Sequence, residues 1–278
     1  MKQLYDNLSK KISKITTNHY STSFSIGIRM LSKEIRDDIY AIYGFVRLAD
    51  EIVDSFHDYD KKSLLSEFIK ETYLSIERKI STNPVLNNFQ HTVNRYNIDQ
   101  ELIDAFFQSM ENDLYQNKHN IRSYNEYIYG SAEVVGLMCL KVFVNGDNQK
   151  YIQLKPYAQA LGAAFQKVNF LRDMQHDYFH LGRIYFPTIN FDKLDEQSFN
   201  EIKADIDKDF KMAEVGIKQL PDNCRFGVYV AYVYYKGLFY KIISMSPLEL
   251  LKKRVRISNF KKIILLLQSY IKYKINYV

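Results

Sequence analysis

Two short segments of this chain concentrate oxygen ligands at helical spacing. The first is Arg47-Leu-Ala-Asp50-Glu51-Ile-Val-Asp54. The second is Gln166-Lys-Val-Asn169-Phe-Leu-Arg172-Asp173-Met-Gln-His176-Asp177. Each holds Asp-x-x-x-Asp, and residues four apart share one face of a helix, one turn apart. Like charges so placed destabilise an isolated helix by about 0.2–0.5 kcal/mol, a cost that a bound divalent cation would offset. On a helical projection Gly162, Gln166, Asn169, Asp173 and Asp177 all fall within an arc of about 80°. Amide and carboxylate oxygens thus form one stripe, and Val168, Phe170 and Leu171 occupy the other side. Oxygen-only donors suit a hard cation such as Mg²⁺, which takes one or two carboxylates and fills its other positions with water and phosphate.

Such a stripe can also be the wet face of an amphipathic helix. Two stripes, each with an arginine beside it (Arg47, Arg172) and apolar flanks at 42–46 and 163–165, favour the cation. Asp173-x-x-His176 matches half of a di-iron helix motif, but that bundle needs the element twice and no second copy is present. His176 and His180 could share a zinc ion, or form a surface pair near a helix end. No Gly-x-Gly-x-x-Gly or P-loop occurs, so no nucleotide cofactor is expected.

The elements that position these residues read as successive helices. Ser32 and Glu34 open one that reaches about Phe56, which carries the first motif. Asp60 starts another, to about Ser81. Pro84 suits the first turn of a short helix. Asp99 to about Asn117 follows. Ser123-Tyr-Asn-Glu126 reads as a capping box for a helix ending at Asn145-Gly146. The longest segment, Asn148 to about His180, carries the second motif and is closed by Gly182. A loop over 181–196 precedes helices near 197–219, 222–244 and 248–257, and one more in the tail. The expected architecture is a single all-α domain over residues 1–278.

Composition agrees. With 278 residues and 46% hydrophobic content a sizeable core is available. Ten Gly and five Pro are too few for an all-β fold. Two cysteines, Cys139 and Cys224, cannot build a disulfide framework and point to a reducing compartment. No apolar run of 18 residues occurs, and the N-terminus, amphipathic and lysine-rich, lacks a secretory core. From Glu249 to Val278 eight basic residues stand against one acid. That segment carries +7 of a net +6, which leaves the other 248 residues at −1. A basic tail on a near-neutral body is not the charge pattern of a nucleic-acid binder. Within the tail, from about 258, Ile263–Leu267 and Tyr270, Ile271, Tyr273, Ile275 and Tyr277 alternate with lysines. This composition suits the surface of an anionic membrane, or equally a last helix docked on the bundle.

These residues resemble the squalene/phytoene synthase family of head-to-head prenyltransferases, over roughly Thr16 to Phe260. The match runs through Tyr20-Ser21-Thr22-Ser23-Phe24 and Ala41-Ile-Tyr43-Gly-Phe-Val-Arg47-Leu-Ala-Asp50-Glu-Ile-Val-Asp54. Tyr129-Gly130, Val135-Gly136 and Leu161-Gly162 come next. It continues with Gln166 through Asp177 and ends at Gly182-Arg183-Ile-Tyr185-Phe-Pro187. Glu51 stands where the family commonly has Asp, which keeps the charge. Tyr20 stands where it often has His, with His19 offset by one.

The resemblance implies an all-α bundle of the isoprenoid synthase type, with a central cavity and the two motifs facing across its mouth. It implies that Asp50, Asp54, Asp173 and Asp177, with Asn169, hold two or three Mg²⁺ ions. Arg47, Arg172, Arg183, Ser21, Ser23, Tyr43 and Gln166 would contact diphosphate. Tyr129, Tyr185, Tyr234 and Arg254 would be further diphosphate-side or cavity residues, Tyr129 a catalytic one. The implied reaction ionises one prenyl diphosphate, whose C1 attacks the double bond of a second. The resulting cyclopropylcarbinyl diphosphate then ionises, rearranges and loses a proton, with released diphosphate as the base. The expected product is phytoene from two geranylgeranyl diphosphates, a step of carotenoid biosynthesis. The alternative is squalene or dehydrosqualene from two farnesyl diphosphates. A carboxylate-bridged metal oxidase and a non-catalytic lipid-binding protein are more distant alternatives. A cytoplasmic, peripherally membrane-bound location is the matching expectation. Small residues at Gly136, Gly162, Ala163 and Ala164 would leave room for longer chains if they face the cavity, or serve close helix packing.

Overall fold

The computed structural model describes residues 1–115, 119–187, 196–252 and 254–275, with only the backbone of 247 and 248. Among the described residues the regular elements are helices. In chain order they are α1 (Lys2–Tyr20), α2 (Thr22–Arg29), α3 (Lys33–Ser55), α4 (Lys61–Arg78), α5 (Pro84–Tyr96), α6 (Gln100–Asp113) and α7 (Ile121–Ile128). A π-helical turn (Tyr129–Glu133) leads into α8 (Val134–Phe143). Then come α9 (Asn148–Leu181), α10 (Glu196–Gln219), α11 (Asp222–Ile243), the single turn α12 (Pro247–Leu250) and α13 (Asn259–Lys274).

Local signals set most boundaries. Asp60 caps α4 by accepting from the Ser63 N–H, and Asp147 caps α9 by accepting from Lys150. Pro84 occupies the first turn of α5 behind its cap Asn83. The helix expected to open at Ser123 opens three residues earlier. Asn120 is its cap and Ser123 the reciprocal partner, so the box is real but shifted. The expected helix over 248–257 is the one turn of α12, because the chain runs irregularly from Arg254 to Ser258 before α13. Asn117 as a helix end, the loop over 188–195, and Lys253 and Tyr277 in the tail lie outside the described residues.

The longest helix, α9, is the axis of the bundle. It packs against α8, the π turn, α10 and α11. Lys167 on its outer side reaches Asp205 at 2.5 Å and Asp209 at 2.7 Å on α10, which fixes the rotation of α9 about its own axis. Gly162 lets α9 touch the π turn: a Cβ there would stand 2.6 Å from the Ala132 carbonyl oxygen. A comparable contact of 3.0 Å to Ala158 explains Gly136, while Ala163 and Ala164 are buried away from any opening. Close packing therefore accounts for these small residues, although Gly136 and Gly162 also border the central cavity.

α9 ends where Gly182 adopts a left-handed conformation (φ 65°). The N–H groups of Gly182 and Arg183 both return to the Asp177 carbonyl, the Arg183 bond at 2.9 Å. This turn brings Arg183 back to Asp54 of the first motif. Gly182→Ala is expected to cost about 1 kcal/mol, since a Cβ in that region costs roughly 1–2 kcal/mol. Gly182→Asn should cost less. Denaturant unfolding of the two variants checks the order.

Candidate active site

A cavity of about 500 Å³ runs through the bundle. The walls that α3 and α9 contribute change character along each helix. Ile39 and Ile42 of α3, and Leu154 and Leu161 of α9, give way toward the C-terminal ends to the two Asp motifs. Helix C-termini carry a partial negative charge of about half an electron each. Two carboxylate pairs there add to that field instead of opposing it. The site is thus negative by construction and favours cations.

The arginines answer part of this charge. Arg183 donates to Asp54 at 2.8 Å, and its other nitrogen donates to the Asp113 carbonyl at 3.0 Å. Arg172 grips Asp173 through two bonds, 3.0 and 2.5 Å, and Arg254 joins it at 2.7 Å. Arg47 pairs with Glu51 and lies 4.2 Å over the Tyr20 ring. Its Nε is buried without a partner. An unpaired guanidinium donor facing a cavity is a place for an anion.

Asp50 and Asp177 are left with less compensation. Burial, then Asp54, pushes the Asp50 carboxyl up to about 7. Burial, then Asp173 and Asp54, does the same to Asp177. Asp50 and Asp54 of α3 and Asp173 and Asp177 of α9 all line the one cavity, so the two helices bring their carboxylates to a shared space. Asn169 accepts from the Tyr235 hydroxyl at 3.3 Å and donates to Gln166 at 3.3 Å, which points its amide along the same stripe.

Among the described residues, no three His, Cys, Asp or Glu side chains converge as a ready metal cluster. The donors stand on two opposed helices and are all oxygens. Such a set does not suit iron or zinc held by protein alone. It fits Mg²⁺, which keeps its water and takes phosphate oxygens. His176 is exposed and lies beside His180, with ring centroids 5.1 Å apart.

Most residues singled out from the sequence line this cavity: Ser21, Tyr43, Arg47, Asp50, Asp54, Gln166, Asn169, Arg172, Asp173, Asp177, Arg183, Tyr185 and Arg254. Three do not. Tyr129 is exposed at the start of the π turn, and Tyr127 faces the cavity instead. Two residues are about 200° around a helix, so both cannot point inward. Tyr234 is buried but donates to the Lys262 carbonyl at 2.9 Å, and Tyr235 takes the cavity position. Ser23, in the first turn of α2 that Ser21 caps, is not part of the wall. Along α11 helical periodicity alone separates the two faces. On α11 the cavity residues include Gly227, Ala231 and Tyr235, each four apart.

Aromatic faces cover the polar end. Phe170 stacks on Tyr185 at 4.1 Å, and Phe165 on Tyr235 at 4.0 Å. Burial raises the Tyr43 hydroxyl well above its usual range, so it is a neutral donor. A cavity with one anion-binding, carboxylate-rich end and an apolar, aromatic interior can hold an amphiphilic phosphate ester. It can also shelter a cation from water.

Residues 17–261 match the family model described as squalene/phytoene synthase. The chain belongs to that family. It is a prenyltransferase of the head-to-head condensing kind. The synthase is 26% identical over 283 aligned positions to phytoene synthase of Arthrospira platensis, covering 93% of this chain and 91% of that one. It is 26% identical over 192 positions to 4,4'-diapophytoene synthase of Staphylococcus haemolyticus. That alignment covers 67% of this chain and 65% of that relative, just under two thirds of the relative's length. Its fold superposes on a crystal structure of a dehydrosqualene synthase with TM-score 0.83, at 18% identity and 98% coverage of both chains.

The raised carboxyls have a consequence for stability. A carboxyl whose folded-state pKa lies above its unfolded value binds its proton more tightly when folded. Its contribution is present at low pH and is lost as pH rises from about 4 to about 7. Without divalent cations, the melting temperature of the synthase is therefore expected to carry a falling component over that range. Asp50→Asn should flatten it. Scanning calorimetry at pH 5 and pH 8, in chelator, measures both.

Proposed function

We propose that this synthase condenses two geranylgeranyl diphosphates head to head to phytoene, with Mg²⁺, and without a nucleotide reductant. The observation that supports this reading most is the gathering of four motif carboxylates with Arg47, Arg172, Arg183 and Arg254 in the wall of one cavity, Arg172 and Arg254 on Asp173 and Arg183 on Asp54. Asp50, Asp54, Asp173, Asp177 and Asn169 would hold the metal, which supplies charge neutralisation for the departing diphosphate. The arginines bind diphosphate oxygens as forks. Ser21, Tyr43 and Gln166 orient the same group. Phe165, Phe170, Tyr185 and Tyr235 exclude water and offer π-faces to the allylic cation. A phytoene synthase and a 4,4'-diapophytoene synthase both stand among the relatives. Two farnesyl diphosphates giving a C30 product is therefore the second reading.

The location we propose is at a membrane surface. No described helix is long and apolar enough to cross a membrane. α13 docks on α11: Leu265 packs over Gly237, and Tyr273 against Phe226. Its other side still exposes Phe260, Ile263, Leu267, Ile271 and Ile275, one stripe at helical spacing with Lys261, Lys272 and Lys274 around it. Apolar residues ringed by lysine suit an anionic interface. Ile263→Asp with Ile271→Asp, which leaves the docked side intact, is expected to abolish sedimentation with phosphatidylglycerol vesicles. Unchanged sedimentation would remove this location.

Alanine at Asp50, Asp54, Asp173 or Asp177 is expected to lower turnover by about 100-fold or more, with the helical spectrum unchanged. EDTA should abolish turnover and Mg²⁺ restore it. Product analysis with C15 and C20 diphosphates in competition, each with and without NADPH, tests the substrate. A dominant C30 hydrocarbon would replace phytoene as the product.

A further inference from the structure

Among the described residues five carboxylates line the cavity, and four belong to the two motifs. The fifth is Asp113, the last residue of α6. It is 6% exposed. Its Oδ2 accepts a hydrogen bond from the Tyr127 hydroxyl at 2.6 Å. Its Oδ1 is buried with no hydrogen-bond partner. Arg183 donates to the backbone carbonyl of Asp113, not to the carboxylate. A buried carboxylate with one idle oxygen is costly, and gaining a proton removes that cost. Tyr127 itself lines the cavity, between Asp113 and the aromatic wall, 5.3 Å from the Tyr185 ring. A phenol that donates to a carboxylate keeps its oxygen lone pairs free to accept.

On the reading proposed above, the last step turns an allylic cation into an alkene and must dispose of a proton inside a cavity that keeps water away. We propose that Asp113 is the terminal acceptor of that proton, which reaches it through Tyr127. The C–H bond next to the cationic carbon breaks, and its electron pair forms the new double bond. The proton passes to the Tyr127 oxygen as the Tyr127 proton moves along the 2.6 Å bond to Asp113 Oδ2. The substrate loses its positive charge, and Asp113 becomes a neutral acid. Burial already pushes this carboxyl up to about 7, with Arg183 and the Tyr127 bond opposing and Asp54 adding to the rise. It can therefore take a proton and return it near neutral pH. Asp113 thus takes the part that the resemblance gives to released diphosphate, and water is excluded from it because water that reached the cation would add to it and give an alcohol.

The test is Asp113→Asn, which keeps the shape and an oxygen for Tyr127 but cannot take the proton. Hydrocarbon formation from geranylgeranyl diphosphate is expected to fall by about 100-fold. Diphosphate release from the first condensation should fall far less, so the cyclopropylcarbinyl diphosphate or alcohols accumulate. Tyr127→Phe should show the same pattern, and Asp113→Glu should recover part of the hydrocarbon. Matching melting curves establish that the variants fold. Wild-type hydrocarbon formation by Asp113→Asn overturns the proposal, as does an equal loss of first-step diphosphate release and hydrocarbon. Wild-type protein that condenses neither C15 nor C20 diphosphate overturns the parent reading instead.

Discussion

Repulsion between carboxylates is the constraint around which this bundle is organised. Asp50 and Asp54 sit at the C-terminal end of α3, and Asp173 and Asp177 near that of α9, where helix dipoles add to their charge. Either pair costs an isolated helix a few tenths of a kcal/mol. The fold tolerates them because other elements hold the two helices rigidly. Lys167 ties the back of α9 to α10, and Gly162 lets α9 seat against the π turn. Gly182 turns the chain so that Arg183 returns to span Asp54 and the end of α6. The negative field is thus built into the backbone arrangement and persists whichever side chain pairs with which arginine.

The same arrangement separates two tasks along one cavity. Charges gather at the end where α3 and α9 terminate, and the remaining wall is apolar. A diphosphate group can be bound only at the first end and a prenyl chain only along the second. This orients an amphiphilic substrate without any specific contact to its hydrocarbon. The stacked pairs Phe170–Tyr185 and Phe165–Tyr235 line the cavity beside the motif residues, where a departing diphosphate would leave its cation on the proposed reading. Their faces stabilise positive charge, yet they offer no nucleophile to trap it.

How much of this is legible in the sequence depends on the period of the signal. The helix order and both Asp motifs rest on spacings of three and four residues, which sequence displays directly. The errors are of one to three residues within a helix. Tyr129 stands for Tyr127, Tyr234 for Tyr235, and Ser123 for the cap Asn120. Neighbouring tyrosines are chemically alike, so composition cannot choose between them, but a shift of one residue turns a side chain by about 100°. Counting in fours along α11 would have chosen Tyr235. The π turn adds a residue between α7 and α8, and no residue type announces it. Asp113 is illegible for a different reason. It stands alone at the end of α6, and only the fold brings it to Tyr127 and Arg183.

That placement links the two tasks. Arg183 bonds Asp54, at the diphosphate end, and the backbone of Asp113, whose carboxylate faces Tyr127. A guanidinium that shifts toward diphosphate leaves Asp54 free for a cation and also reduces the positive charge near Asp113. Less positive charge makes that carboxylate a better proton acceptor. Departure of the leaving group and readiness to accept a proton are therefore coupled through one buried arginine. It follows that shortening this side chain to lysine, which keeps the charge but loses the fork, should disturb the alkene-forming step as well as diphosphate binding.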